Sequence, residues 1–116
     1  MSTIAGWLER NARETPERVA VQSVERDVTL THGELYALCC QVSATLGDRG
    51  VGANDRIAMV APNSPEHLVS YLGTMAHGAT ICTIEPELTP NIAERVRTLE
   101  PRLVLNGAAE EAVTVE

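Results

Sequence analysis

The sequence predicts an α/β fold: an N-terminal helix and β-hairpin, followed by a βαβαβ unit with a parallel sheet. Three observations carry this prediction. The tetrapeptide Thr31-His32-Gly33-Glu34 has the spacing of a capping box and opens a helical stretch directly after a hairpin pattern. Short, largely apolar runs at 56–61, 79–84 and 102–105 have the length and continuity of buried parallel strands. The stretches between them carry apolar residues at helical spacing and are bounded by Pro and Gly.

The elements follow in order. Thr3 caps a first helix whose apolar residues Ile4, Trp7, Leu8 and Ala12 fall at helical spacing, and Pro16 ends it. Residues 18–24 alternate and are rich in valine, so they read as a strand; Glu25-Arg26-Asp27 turns, and Val28-Thr29-Leu30 returns. The helix opened by the capping box carries Leu35, Leu38, Cys39, Val42 and Leu46 on one face and ends between Gly47 and Gly50. Residues 56–61 form the next strand. Ser64, Pro65 and Glu66 are an N-cap, a first helical residue and an acid at the positive end of the following helix. Leu68, Leu72, Met75 and Ala76 form its expected buried stripe, and Gly78 stops it. Residues 79–84 form a strand, 85–88 a loop. Thr89 caps and Pro90 starts the last helix, with Ile92, Val96 and Leu99 inward, and Pro101 ends it before the strand at 102–105. The tail is small and acidic; it either frays or forms a short helix at 108–112 before another strand begins.

Length and composition bound the function. A chain of 116 residues supports one domain with one core. Its sections are 1–50 (helix, hairpin, capping-box helix), 51–105 (the βαβαβ unit) and 106–116 (the tail). There is no Phe, and Trp7, Tyr36 and Tyr71 are the only aromatic residues, so no base-stacking surface is expected. All nine basic residues are arginine and the net charge is −7, which excludes the clustered cations that nucleic acid requires. No apolar run has the length of a membrane helix, and the N-terminus lacks the basic and apolar regions of a signal peptide, so a cytoplasmic protein is expected. Cys39, Cys40 and Cys82 are odd in number, lie in apolar stretches and have no partner at ligand spacing, so all three are read as core residues. No GxGxxG follows a strand, so no dinucleotide site is indicated. His32, His67 and His77 lack a Cys, Asp or Ser partner at catalytic spacing and read as surface or cap histidines.

Four collinear segments resemble one family. Thr29 to Leu35 (TLTHGEL) is similar to the "LTYxEL" motif of adenylate-forming enzymes, and residues 15–21 (TPERVAV) to the "xPdxxAv" stretch before it. Residues 50–58 (GVGANDRIA) resemble "GvxxGDRVa", and Asn63-Ser64-Pro65-Glu66 with residues 71–79 resembles the "NsxE…a…a…GA" helix. The chain is thereby identified as resembling the N-terminal segment of the AMP-binding superfamily, with a flavour closest to acyl- and aryl-CoA synthetases.

The resemblance implies an ATP-, Mg²⁺- and CoA-dependent activity for a full-length family member. A carboxylic acid attacks ATP to give an acyl-adenylate and pyrophosphate, and a thiol then displaces AMP. The family places its phosphate loop, ending in Pro-Lys-Gly, and its catalytic lysine after the region matched here. This chain contains no lysine and no glycine-rich phosphate loop, so no catalytic, cofactor-binding or metal residue carries over. Two departures stand out: His32 replaces an aromatic residue, and Glu85-Pro86 stands where Asn-Pro is usual. Glu85 reads either as a solvent-facing loop charge or as a carboxylate facing the later substrate region.

Two readings of function follow. The chain is a scaffold segment of an acid–thiol ligase, inactive without the remainder. Alternatively, it is a standalone noncatalytic interaction module or split subunit derived from that fold. Because the family's sheet continues into later strands, an open edge is expected, covered by self-association or by the rest of the enzyme. A flavodoxin-like receiver is disfavoured, since a receiver needs a lysine.

Overall fold

A computed structural model describes residues 3–107 and 114–115. Helix α1 (Ile4–Glu14) is capped by Thr3, whose hydroxyl accepts from the Gly6 amide at 3.0 Å. Strands β1 (Val19–Ser23) and β2 (Val28–Thr31) pair antiparallel, with a bulge between Val19 and Val21. Helix α2 (His32–Asp48) starts on the predicted capping box: the Glu34 amide donates to Thr31 Oγ1 at 3.1 Å, and the Thr31 amide donates to Glu34 Oε1 at 2.9 Å. These two bonds satisfy amides that a helix start otherwise leaves orphaned.

Strands β3 (Arg56–Val60), β4 (Thr80–Ile84) and β5 (Leu103–Asn106) form the expected parallel sheet. The strand order is β4-β3-β5, and β6 (Thr114–Val115) pairs antiparallel with β5. The possible helix at 108–112 lies outside the described residues. Strand β3 is central, and Ile57, Ala58 and Met59 are completely buried, which explains its uninterrupted apolar sequence. Helix α3 (Pro65–His77) begins on Ser64, whose hydroxyl accepts from the His67 amide at 3.0 Å, and ends on Gly78 with a left-handed φ of 95°.

The core lies between α2, α3 and one face of the sheet. Leu46 packs there with Ile57, Met59 and Leu105, and Val42, Tyr71, Ile81 and Leu103 cover the margin. A second cluster joins Leu35, Cys39 and Val69 to Leu8 of α1 and to Ala20, Val21 and Leu30 of the hairpin. Side chains alternate along a strand, so Ala58, Val60, Cys82 and Ile84 face the opposite side, toward α4 (Ile92–Leu99).

Several expectations are corrected. The buried face of α3 is Val69, Ser70, Gly73 and Thr74, while Leu68, Leu72, Met75 and Ala76 are only half-buried. Small residues win because α2 approaches α3 too closely for large ones. Trp7 turns away from the core and is 50 % exposed. Helix α4 does not begin at Thr89-Pro90. Asn91 takes a left-handed φ of 56°, makes no side-chain cap, and redirects the chain so that the helix starts at Ile92. Ile92, Val96 and Leu99 are its half-buried residues, as expected.

Candidate functional site

In a parallel α/β sheet, the loops beyond the carboxyl ends of the strands are where ligands are received. Here those loops are Ala61–Ser64 after β3, Glu85–Leu88 after β4 and the turn that begins at Gly107 after β5. They are tied to one another by the Ala61 amide donating to Ile84 O at 3.3 Å and the Gly107 amide donating to Val60 O at 3.0 Å.

Helix α3 presents its first turn to this rim. Glu66 is paired with Arg26 of the hairpin turn at 2.5 Å. The His67 ring stacks on Tyr71, with centroids 6.5 Å apart and planes at 19°. Burial holds the His67 imidazole below its ordinary pKa, against the opposing pull of the Glu85 carboxylate. Glu85 is half-buried, and its Oε1 accepts from the Glu87 amide at 3.2 Å. Glu85 thus remains a loop charge at the surface, bent back onto its own loop, and its carboxylate opposes the lowering of the His67 pKa. Leu88, beyond it, is 83 % exposed.

Behind this rim, a groove of about 560 Å³ runs between α4 and β4, lined by Cys82, Ile84, Asn91, Glu94, Arg95 and Leu99. It is open and mostly apolar.

The residues at the rim do not fit a nucleotide triphosphate. Its ionisable groups are Glu66, Glu85, Glu87 and a histidine held toward its neutral form. The nearby Arg26 is already engaged by Glu66. Carboxylates repel phosphate, and a developing negative charge needs donors or cations placed around it. Among the described residues, no cluster of three or more His, Cys, Asp or Glu side chains is arranged to hold a metal ion.

The structure does bring together one pair that sequence spacing did not show. Ser43 Oγ lies 2.8 Å from His77 Nδ1, and His77 Nε2 lies 2.8 Å from Val51 O. A carbonyl only accepts, so Nε2 carries a proton; in the neutral ring Nδ1 is then the acceptor and the Ser43 hydroxyl donates to it. His77 is thus no surface histidine. It ties the end of α3 to α2 and to the loop before β3. A serine polarised by an oriented imidazole has the outline of an activated nucleophile. However, Ser43 sits inside α2, where the neighbouring amides are spent on the helix's own bonds and none faces a substrate oxyanion. The pair therefore acts as a structural tie. Its residues are 34 positions apart, and no local signal announces them.

The cysteines divide. Cys39 is buried and its thiol is pushed up to about 11, chiefly by burial and secondarily by Cys40. Cys82 is half-buried on β4. Cys40 is exposed on α2, which corrects its reading as a core residue. His32 occupies the first turn of α2, half-buried, where its amide donates to Arg18 O at 2.9 Å. No helix among the described residues is long and apolar enough to cross a membrane.

Comparison with known proteins agrees with this architecture. Residues 8–116 match the model of the family described as AMP-binding enzyme. The chain is 35 % identical over 99 residues to syringomycin synthase SyrB1 of Pseudomonas syringae pv. syringae, covering 84 % of this chain and 16 % of that protein. It is 29 % identical over 79 residues to 4-coumarate–CoA ligase 1 of Arabidopsis thaliana, covering 67 % and 14 %. Among solved structures, the N-terminal domain of FACL13 from Mycobacterium tuberculosis superposes with a TM-score of 0.83 at 26 % identity, covering 92 % of this chain and 28 % of that one. The chain thus spans less than a third of each of these proteins. The matched length, the collinear motifs and the shared fold establish that this chain belongs to the AMP-binding enzyme family, as an N-terminal segment of its adenylate-forming fold.

Proposed function

We propose that the chain, as a partial N-terminal domain spanning 1–116, is a scaffold segment of an ATP-dependent acid–thiol ligase of the acyl- or aryl-CoA synthetase kind, and performs no adenylation by itself. One observation carries the reading. The rim where a ligand would sit is acidic and lacks a free cation among its described residues, in a chain that contains no lysine at all. ATP, Mg²⁺ and CoA belong to the full-length activity and would be held by residues outside those described here. Within that activity, this segment supplies the central strand β3 and the α2–α3 layer that supports it. A cytoplasmic location is part of the proposal, supported by three cysteines without a disulfide.

The test is to incubate the purified chain with ATP, Mg²⁺, CoA and a panel of carboxylic acids and follow pyrophosphate release. No release above background is expected. Supplying the chain in trans to a family enzyme lacking its first strands is expected to restore release. Turnover by the chain alone would overturn the scaffold reading. A folded chain that gives no rescue would favour the alternative, a noncatalytic interaction module.

A further inference from the structure

No further inference is drawn: the strongest candidate, the open apolar cleft between the hairpin, α2 and α3 that is lined by Val28, Leu30, Leu38, Pro65, Val69 and Ser70, carries nothing because nothing in the structure shows what covers it.

Discussion

Val42 and Gly73 set the separation of the two helices that cover the sheet. A Cβ placed on Gly73 would stand 2.6 Å from Val42 Cβ, 2.7 Å from Val42 Cγ1 and 3.2 Å from Cys39 O. No side chain fits there, so α2 and α3 meet backbone to side chain. Glycine lowers helix propensity by about 1 kcal/mol relative to alanine, so its place in the middle of α3 has a packing reason.

Gly73→Ala is therefore expected to destabilise the chain by about 1–3 kcal/mol despite the better helix former, because the added methyl has to push α2 away. Urea unfolding measures this directly. Adding Val42→Ala is expected to recover part of the loss, and a double-mutant cycle reads the coupling. Additive single effects would show that the close approach is not what Gly73 provides.

Thr74 is completely buried, and its hydroxyl has no hydrogen-bond partner among the described residues. A buried hydroxyl without a partner costs about 1–3 kcal/mol. Thr74→Val keeps the branched shape and removes the hydroxyl. It is expected to raise stability by about 1 kcal/mol and to raise the urea midpoint at constant slope. A loss of stability would mean that a buried water or an alternative rotamer satisfies the hydroxyl in solution.

Thr31→Ala removes the oxygen that receives the Glu34 amide. A loss of about 1 kcal/mol is expected, and Thr31→Ser is expected to retain most of the stability. Hydrogen exchange of the first-turn amides of α2 distinguishes loss of the cap from a general loosening of the chain.

His67 gives a pH dependence with a defined sign. Burial lowers its folded pKa below the unfolded value of 6.5. Above 6.5 the ring is neutral in both states and the contribution is fully present. As pH falls through 6.5 the unfolded chain takes up the proton first, so stability declines toward acid. His67→Gln is expected to flatten the stability profile below pH 6.5. Glu85→Gln removes the charge that opposes the shift, so the His67 titration followed by NMR is expected to move to still lower pH. A shift to higher pH would show that Glu85 does not act on this ring.

The parts of the fold that were legible in the sequence are those whose cause lies within a few residues. Thr31 and Glu34, Ser64 and Pro65, and Gly78 mark helix ends through bonds or backbone angles that close over one turn. The three parallel strands were legible as short, largely apolar runs, although only β3 is buried on both faces. Thr89-Pro90 imitates a helix start by the same local logic, yet a left-handed Asn91 intervenes, and the helix begins with no side-chain cap at all.

The rim was less legible. The departure at Glu85 could be noticed in the sequence, but its action on His67 requires knowing that the β4 exit loop reaches the first turn of α3. The tie from Ser43 to His77 to Val51, and the ion pair between Arg26 and Glu66, join segments far apart in the chain and carry no spacing signature.

The sequence alone determined the element order, most helix ends, the family resemblance and the lack of any lysine for phosphate chemistry. These follow from local hydrogen bonding, periodicity and composition, which do not depend on distant contacts. The tertiary structure decided which helix face is buried and which polar groups pair. Burial in α3 follows how closely a neighbouring helix can approach, so Gly73 and Thr74 lie inside while Leu68 and Met75 remain partly outside. Hydrophobicity names the residues that gain from burial, but only the packing of α2 against α3 selects the ones that fit.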